Sequence, residues 1–398
     1  MNIKSVVLLV LFMFQFCNAQ KTENPLPKIE NYNKGELEIK VLPTGLDNPI
    51  LVGKITADGT IHFNFPETDL GTSNKMPLYS TQKIGRAFGF FVCHDKAVKA
   101  ETEHVVAIEV KDLFLYKYGE RVGALRSASS KDILENDFIL GSKLLWVLSS
   151  GPGVFEATCT VYEEDGLGSG NLDKKNIRNE TSYNIQLNKG WNIIEQKLLE
   201  TKALKDDQGA YSSRLKERKR SVTNIPSTIN WYLKYWANDA HLEIEQQLIK
   251  KTPINKTQYK EWVPKKLGSL NRTNYEIGKT LERLPTLNNI EIQFEKALKK
   301  ATITIIDCVA SKVAAGIYTV TLDMASSDWK DKTKTGYSSA SNKDGTRVIT
   351  DYNKAEAKTS LIYNAGGRFV VKAEAVHIEP ETLWNYVKAL NLKELIDE

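Results

Sequence analysis

Three residues of catalytic type stand in a row at Cys93-His94-Asp95, supplying in composition a nucleophile, a base and an orienting carboxylate. On a strand the side chains alternate, so Cys93 and Asp95 share a face while His94 points to the other. A working base would have to come from elsewhere, His62 or His104 for instance, and the run reads as a structural strand end. The sequence therefore offers no catalytic residue.

Metal and cofactor chemistry fare no better. His62, His94, His104, His241 and His377 never fall at zinc-motif spacing, and no two cysteines of the mature chain lie close in sequence. Gly278-Lys279-Thr280 resembles the end of a phosphate loop, but Thr273 stands where the loop's first glycine belongs and no apolar strand precedes it. The acidic, glycine-rich residues 163–173 would suit calcium's flexible oxygen coordination, yet fit neither the EF-hand nor the nine-residue β-roll pattern; they read as a hairpin loop. Neither a cofactor nor a metal site is expected.

Two concentrations point to binding. Arg214, Lys216, Arg218, Lys219 and Arg220 make the densest cationic run, a candidate contact for an anion or an acidic partner such as a lipid headgroup or glycan. No amphipathic apolar face accompanies it, which favours a solvated loop. Trp231, Tyr232, Tyr235 and Trp236 could form a stacking platform for sugars, although alternation on a strand sends half of such a set into the core. Asn179, Asn255 and Asn271 begin Asn-x-Ser/Thr triplets no more often than composition gives.

The chain carrying these residues has 398 positions, 41% hydrophobic and 26% charged, an ordinary globular composition long enough for two or three domains. Lys4 and the apolar stretch 6–16, followed by Cys17-Asn18-Ala19-Gln20, read as an export signal cut after Ala19. The mature balance is then 53 Lys+Arg against 49 Asp+Glu, a net +4 too small for a nucleic-acid partner. The export reading places the mature protein in the periplasm or the medium, without a transmembrane helix. Cys93, Cys159 and Cys308 survive the cut; their odd number leaves at least one thiol outside any intramolecular bridge, with Cys93–Cys159 an open pairing.

Periodicity supplies the architecture. Residues 20–36 form a polar linker. From Leu37 the period is two: Leu37, Ile39 and Val41 alternate with charged residues, as do Ile61, Phe63 and Phe65 after Asp58-Gly59. Strands follow at 104–125, with a phase change at Asp112 read as a bulge and a turn at Tyr118-Gly119-Glu120, then at 144–148, 154–162, 182–187, 190–199 and 229–235. Residues 37–240 are thus expected to form an antiparallel, all-β, sandwich-like domain with a basic loop at 202–226. A connector containing short helix spans 241–284.

Residues 285–398 read as an α+β domain of helix, four-stranded antiparallel meander and helix. The first helix is expected from Leu287, Ile290, Phe294, Leu298 and Ala301. The strands are expected at 318–324, 347–352, 359–363 and 369–376, the last two joined by the turn Asn364-Ala365-Gly366-Gly367, and Pro380 starts the closing helix. The fold class is multidomain, β then α+β.

Three functions fit this picture. The first is an exported, non-catalytic cell-envelope protein with a binding or structural role toward an envelope protein, glycan or lipid, in a bacterial setting. The second is a periplasmic carrier enclosing an acyl chain in an apolar pocket of the C-terminal sheet lined by Tyr318, Val320, Leu322 and Phe369. The third is a secreted hydrolase built on two carboxylates, which carry no local signature.

Overall fold

The computed structural model describes residues 26–43, 48–67, 83–90, 93, 95–110, 112–163, 177–206, 209–280 and 287–396. The leader at 1–19, His94 and residues 164–173 of the acidic stretch lie outside the described residues. The fold is mostly β, with two large sheets and few helices, and the chain divides between Ala237 and Asn238 into two compact units. Among the described residues no helix is long and apolar enough to cross a membrane.

Among its described residues the first unit holds thirteen strands in one sheet: β1 (Leu37–Val41), β2 (Ile50–Ile55), β3 (Ile61–Phe63), β4 (Asp95–Glu101), β5 (Ala107–Val110), β6 (Leu113–Lys117), β7 (Glu120–Ala128), β8 (Gly141–Ser149), β9 (Gly153–Glu163), β10 (Ile177–Leu187), β11 (Gly190–Asp206), β12 (Gly209–Val222) and β13 (Asn230–Tyr235). Their order is β3-β2-β1-β6-β7-β8-β11-β12-β10-β9-β4, with β13 added to β7 and β5 to β8. Every pairing is antiparallel except β10 with β12. Among the described residues two one-turn helices, α1 (Ile84–Ala87) and α2 (Asp132–Glu135), interrupt it.

Two expectations change here. The phase shift at Asp112 is a strand break, because β5 pairs with β8 while β6 pairs with β1 and β7. The turn at Tyr118 and Gly119 stands, both residues taking the positive φ that a tight hairpin demands. The basic interval 202–226 is chiefly the end of β11 and the whole of β12, and not a loop. Charge pairing between neighbouring strands replaces apolar alternation there, which hides the period from a hydropathy reading.

The second unit starts with two helices, α3 (Asp239–Ile249) and α4 (Lys256–Trp262). A nine-stranded antiparallel sheet follows, formed by β14 (Lys266–Leu267), β15 (Leu270–Ile277), β16 (Asn289–Lys296), β17 (Lys299–Asp307), β18 (Trp329–Lys332), β19 (Gly336–Lys343), β20 (Thr346–Asn353), β21 (Lys358–Ala365) and β22 (Phe369–Val376), ordered β14-β15-β16-β17-β22-β21-β20-β19-β18. Between β17 and β18 runs α5 (Lys312–Met324), and α6 (Pro380–Val387) follows β22. Of the interval 241–284, expected as a connector, residues 241–277 thus contribute to this unit's helical cover and sheet.

The helix expected at 287–301 is the hairpin β16–β17. Ile290, Ile292 and Phe294 are fully buried at every second position, as are Ile303 and Ile305, while Ala297 takes φ 53° in the turn and Leu298 is 76% exposed. β-branched residues at a period of two outweighed a coincidental helical stripe.

The strand expected at 318–324 is the second half of α5. Ser311 caps it by accepting from the Ala314 amide, and the Thr319 and Thr321 hydroxyls donate to the Gly316 and Ile317 carbonyls. Those back-bonds let threonines that mimicked a strand sit inside a helix.

Helices cover both faces of the second sheet. On one, α4, α6 and the turn at Leu392–Leu395 pack over Ile303, Val371, Leu361 and Phe369. On the other, α3 and α5 place Leu248, Ala314, Ala315 and Tyr318 against Ile306 and Val370. Fully burying each such aliphatic side chain contributes roughly 1.5–3 kcal/mol. The expected hairpin at 364–367 is present, Gly366 and Gly367 taking φ 57° and 63° between β21 and β22.

Candidate functional site

The face that carries α3 and α5 is covered only in part. Along β21 the outward positions run from Ile362, under α5, to Ser360; along β20 from Ile349 to Asp351; along β19 from Ala340 to Ser338. At one level of the sheet the apolar residues give way to hydroxyls and carboxylates, and there the helical cover stops. Beyond it lies an open groove of about 700 Å³, whose lining includes Thr302, Glu374, Ser360, Asp351 and Ser338.

Register puts those five residues in one line. Thr302 lies opposite Glu374, Glu374 opposite Ser360, Ser360 opposite Asp351, and Asp351 opposite Ser338. The row crosses β17, β22, β21, β20 and β19 and alternates hydroxyl with carboxylate at each step of roughly 4.8 Å. Asp351 accepts from the Ser338 hydroxyl and has no ion-pair partner among the described residues, while the Lys372 ammonium meets Glu374 at 2.8 Å. One step further along the strands Lys300 and Lys358 enter the lining, but Lys300 is held by Glu295 at 3.3 Å and Lys358 by Glu356 at 2.6 Å. The row is polar and its charges nearly cancel.

Chemically this is a set for holding. Ser and Thr hydroxyls donate or accept, and the carboxylates accept two bonds each. Asp351 and Glu374 stand two strands apart, so their Cα atoms are separated by about 9.6 Å. Both are exposed to solvent, and neither sits in the apolar enclosure that turns a carboxylic acid into a general acid.

The carrier pocket named from sequence is not assembled. Tyr318 and Leu322 project from α5 into one core, Phe369 is fully buried in the core on the opposite face, and Val320 is 57% exposed. A single strand face was needed to bring the four together, and the helical period of α5 disperses them.

The basic residues do lie together on β12, each against a carboxylate. Arg214 meets Asp137 at 3.1 Å, Lys216 meets Glu200 at 3.0 Å, and Lys219 meets Glu217 at 3.7 Å. Arg218 and Arg220 converge on Glu195 at 3.8 and 2.6 Å, and the Ser142 hydroxyl donates to the same carboxylate at 2.7 Å. Burial pushes the Glu195 carboxyl up, but the Ser142 and Arg220 hydrogen bonds and the two guanidinium charges together bring it below the usual glutamate range. The Lys143 ammonium, aided by Arg214, likewise holds Asp137 low against its own desolvation.

The remaining sequence candidates disperse too. Trp231 packs between Phe63 and Trp146 with ring centroids 5.2 and 6.5 Å away, whereas Trp236 is 49% exposed beside Arg121, so no single platform forms. Cys93 is bonded to Cys159, with Cα atoms 5.2 Å apart, and is no nucleophile. Lys279 is tied to Glu291 at 2.6 Å. Among the described residues no group of His, Cys, Asp or Glu could hold a metal ion.

Sequence reasoning missed the groove because its residues are ordinary solvent-face choices taken one strand at a time. Only the pairing of five strands makes them a row. No family model and no curated protein matches this chain.

Proposed function

We propose that this chain is an exported, non-catalytic binding protein of a bacterial cell envelope, and that the groove on the second sheet receives its ligand. The observation that carries the reading is the five-strand row from Thr302 to Ser338, placed where the helical cover ends. A fold needing only a stable sheet would extend its apolar face or its helices over that surface; here polar residues replace them on adjacent strands at one level.

Export is supported by the leader pattern and by the Cys93–Cys159 bridge, a bond that persists in oxidising compartments. In the first unit the branching of β13 from β7 and β5 from β8 supports a sheet folded over itself in sandwich fashion. The acyl-carrier alternative loses support from the dispersal of Tyr318, Val320, Leu322 and Phe369, and the hydrolase alternative from the exposure of Asp351 and Glu374.

The test is retention. The full chain, immobilised, is exposed to the solubilised envelope of its own host alongside Ser360→Trp, which fills the groove, and Lys216→Ala on β12. Wild type and Lys216→Ala should retain the same component and Ser360→Trp should not. Equal retention by all three would refute the groove as the site.

A further inference from the structure

Resting on that reading, we infer that the groove binds a linear, uncharged glycan lying across the strands. Three observations select this class. The row alternates hydroxyl and carboxylate over five strands, so vicinal hydroxyls of a sugar meet an acceptor pair at every second step and a hydroxyl of either polarity between. The step between strands, roughly 4.8 Å, is close to the length of one pyranose unit in an extended glycan and well beyond the roughly 3.4 Å residue rise of an extended peptide.

Charge argues the same way. The ammoniums of Lys300, Lys358 and Lys372 are each met by a carboxylate at 2.6–3.3 Å, which leaves no cationic surplus for a polyanion. Asp351 alone is a single negative charge, insufficient to select a polycation.

The experiment titrates full-length protein with β-1,4-glucan, β-1,4-linked N-acetylglucosamine and α-1,4-glucan oligomers of two to six units. A polygalacturonate oligomer and a Ser/Gly peptide of equal length serve as competitors of other classes, followed by calorimetry and amide shifts. At least one neutral glycan should bind with affinity rising about tenfold from two to four units and then flattening as the row is filled. Asp351→Ala and Glu374→Ala should each weaken it by about tenfold, as loss of charge-assisted bonds does; Ser360→Trp should abolish it, and Lys216→Ala should leave it unchanged. Failure of all three glycans, preference for the polyanion or the peptide, or indifference to Asp351→Ala would overturn the assignment. If the envelope component still depends on Ser360 while every glycan fails, the glycan class falls and the groove reading stands. If envelope retention is itself indifferent to Ser360→Trp, both fall.

Discussion

Asp307 and Arg368, 61 positions apart, form a bidentate ion pair in the interior of the second unit, with Nε 2.8 Å from Oδ1 and the second guanidinium nitrogen 2.7 Å from Oδ2. The pair also gathers the chain that leads into α4: Asp307 accepts from the Ile254 amide at 2.8 Å and Arg368 donates to the Thr252 carbonyl at 2.8 Å. Residues that read as a connector are thereby bolted to the strands β17 and β22 that carry Thr302 and Glu374.

Removing one partner strands the other without water. Asp307→Ala or Arg368→Met alone should lower the stability of the second unit by about 3–5 kcal/mol. The double variant Asp307→Leu with Arg368→Met should recover most of that loss. Urea unfolding followed by tryptophan fluorescence measures both, and additive losses in the double variant would contradict the pairing.

Glu195 gives the first unit an acid-sensitive element. Its carboxyl lies below the ordinary value of 4.5 when folded, so its ionised form stabilises the unit above that value, and the contribution is lost as pH falls from 4.5 through the folded pKa. Glu195→Gln should therefore flatten the stability profile of the first unit over that acid range while lowering stability at neutral pH. A profile as steep as that of wild type would show that other carboxylates carry the acid response.

Cys93, Cys159 and Cys308 should behave as two classes. Cys308 is fully buried, and burial pushes its thiol up to about 12, so the folded protein should resist alkylation at neutral pH and react with one equivalent on unfolding without reductant. Replacing both Cys93 and Cys159 by Ser should cost the first unit about 2–4 kcal/mol. Mass spectrometry after alkylation counts the thiols; a label on any of the three in the native state, or on Cys93 or Cys159 after unfolding without reductant, would contradict the assignment.

Gly336 begins β19 at the end of the groove, where an added Cβ would stand 1.7 Å from the Tyr352 carbonyl oxygen. Backbone cannot yield as a flexible side chain would, so Gly336→Ala should destabilise the second unit by about 1–3 kcal/mol. Unchanged amide signals for Tyr352 and Asn353 would contradict so close an approach.

Much of the strand content was legible because alternation is local: β8, β9, β20, β21 and β22 fall where the period predicts, as does α6 after Pro380. Failures cluster where one pattern served two periods. Leu287, Ile290, Phe294 and Leu298 satisfy a helix on paper, yet Ile292, Ile303 and Ile305 complete two strands; Tyr318, Val320 and Leu322 alternate, yet the Ser311 cap and an alanine pair start a helix. β12 escaped because its order comes from partners on β10 and β11, which hydropathy does not record. The groove was illegible for a related reason: Thr302 and Ser338 become neighbours in a row only through three intervening strands, and register is a property of the folded sheet.

Hydrogen–deuterium exchange of the full chain, with and without the solubilised envelope of its host, tests the placement of the ligand most directly. Added protection should concentrate on residues 300–302, 358–360 and 374–376, with β12 unchanged. Protection confined to 214–220, or none anywhere on the second sheet, would contradict it.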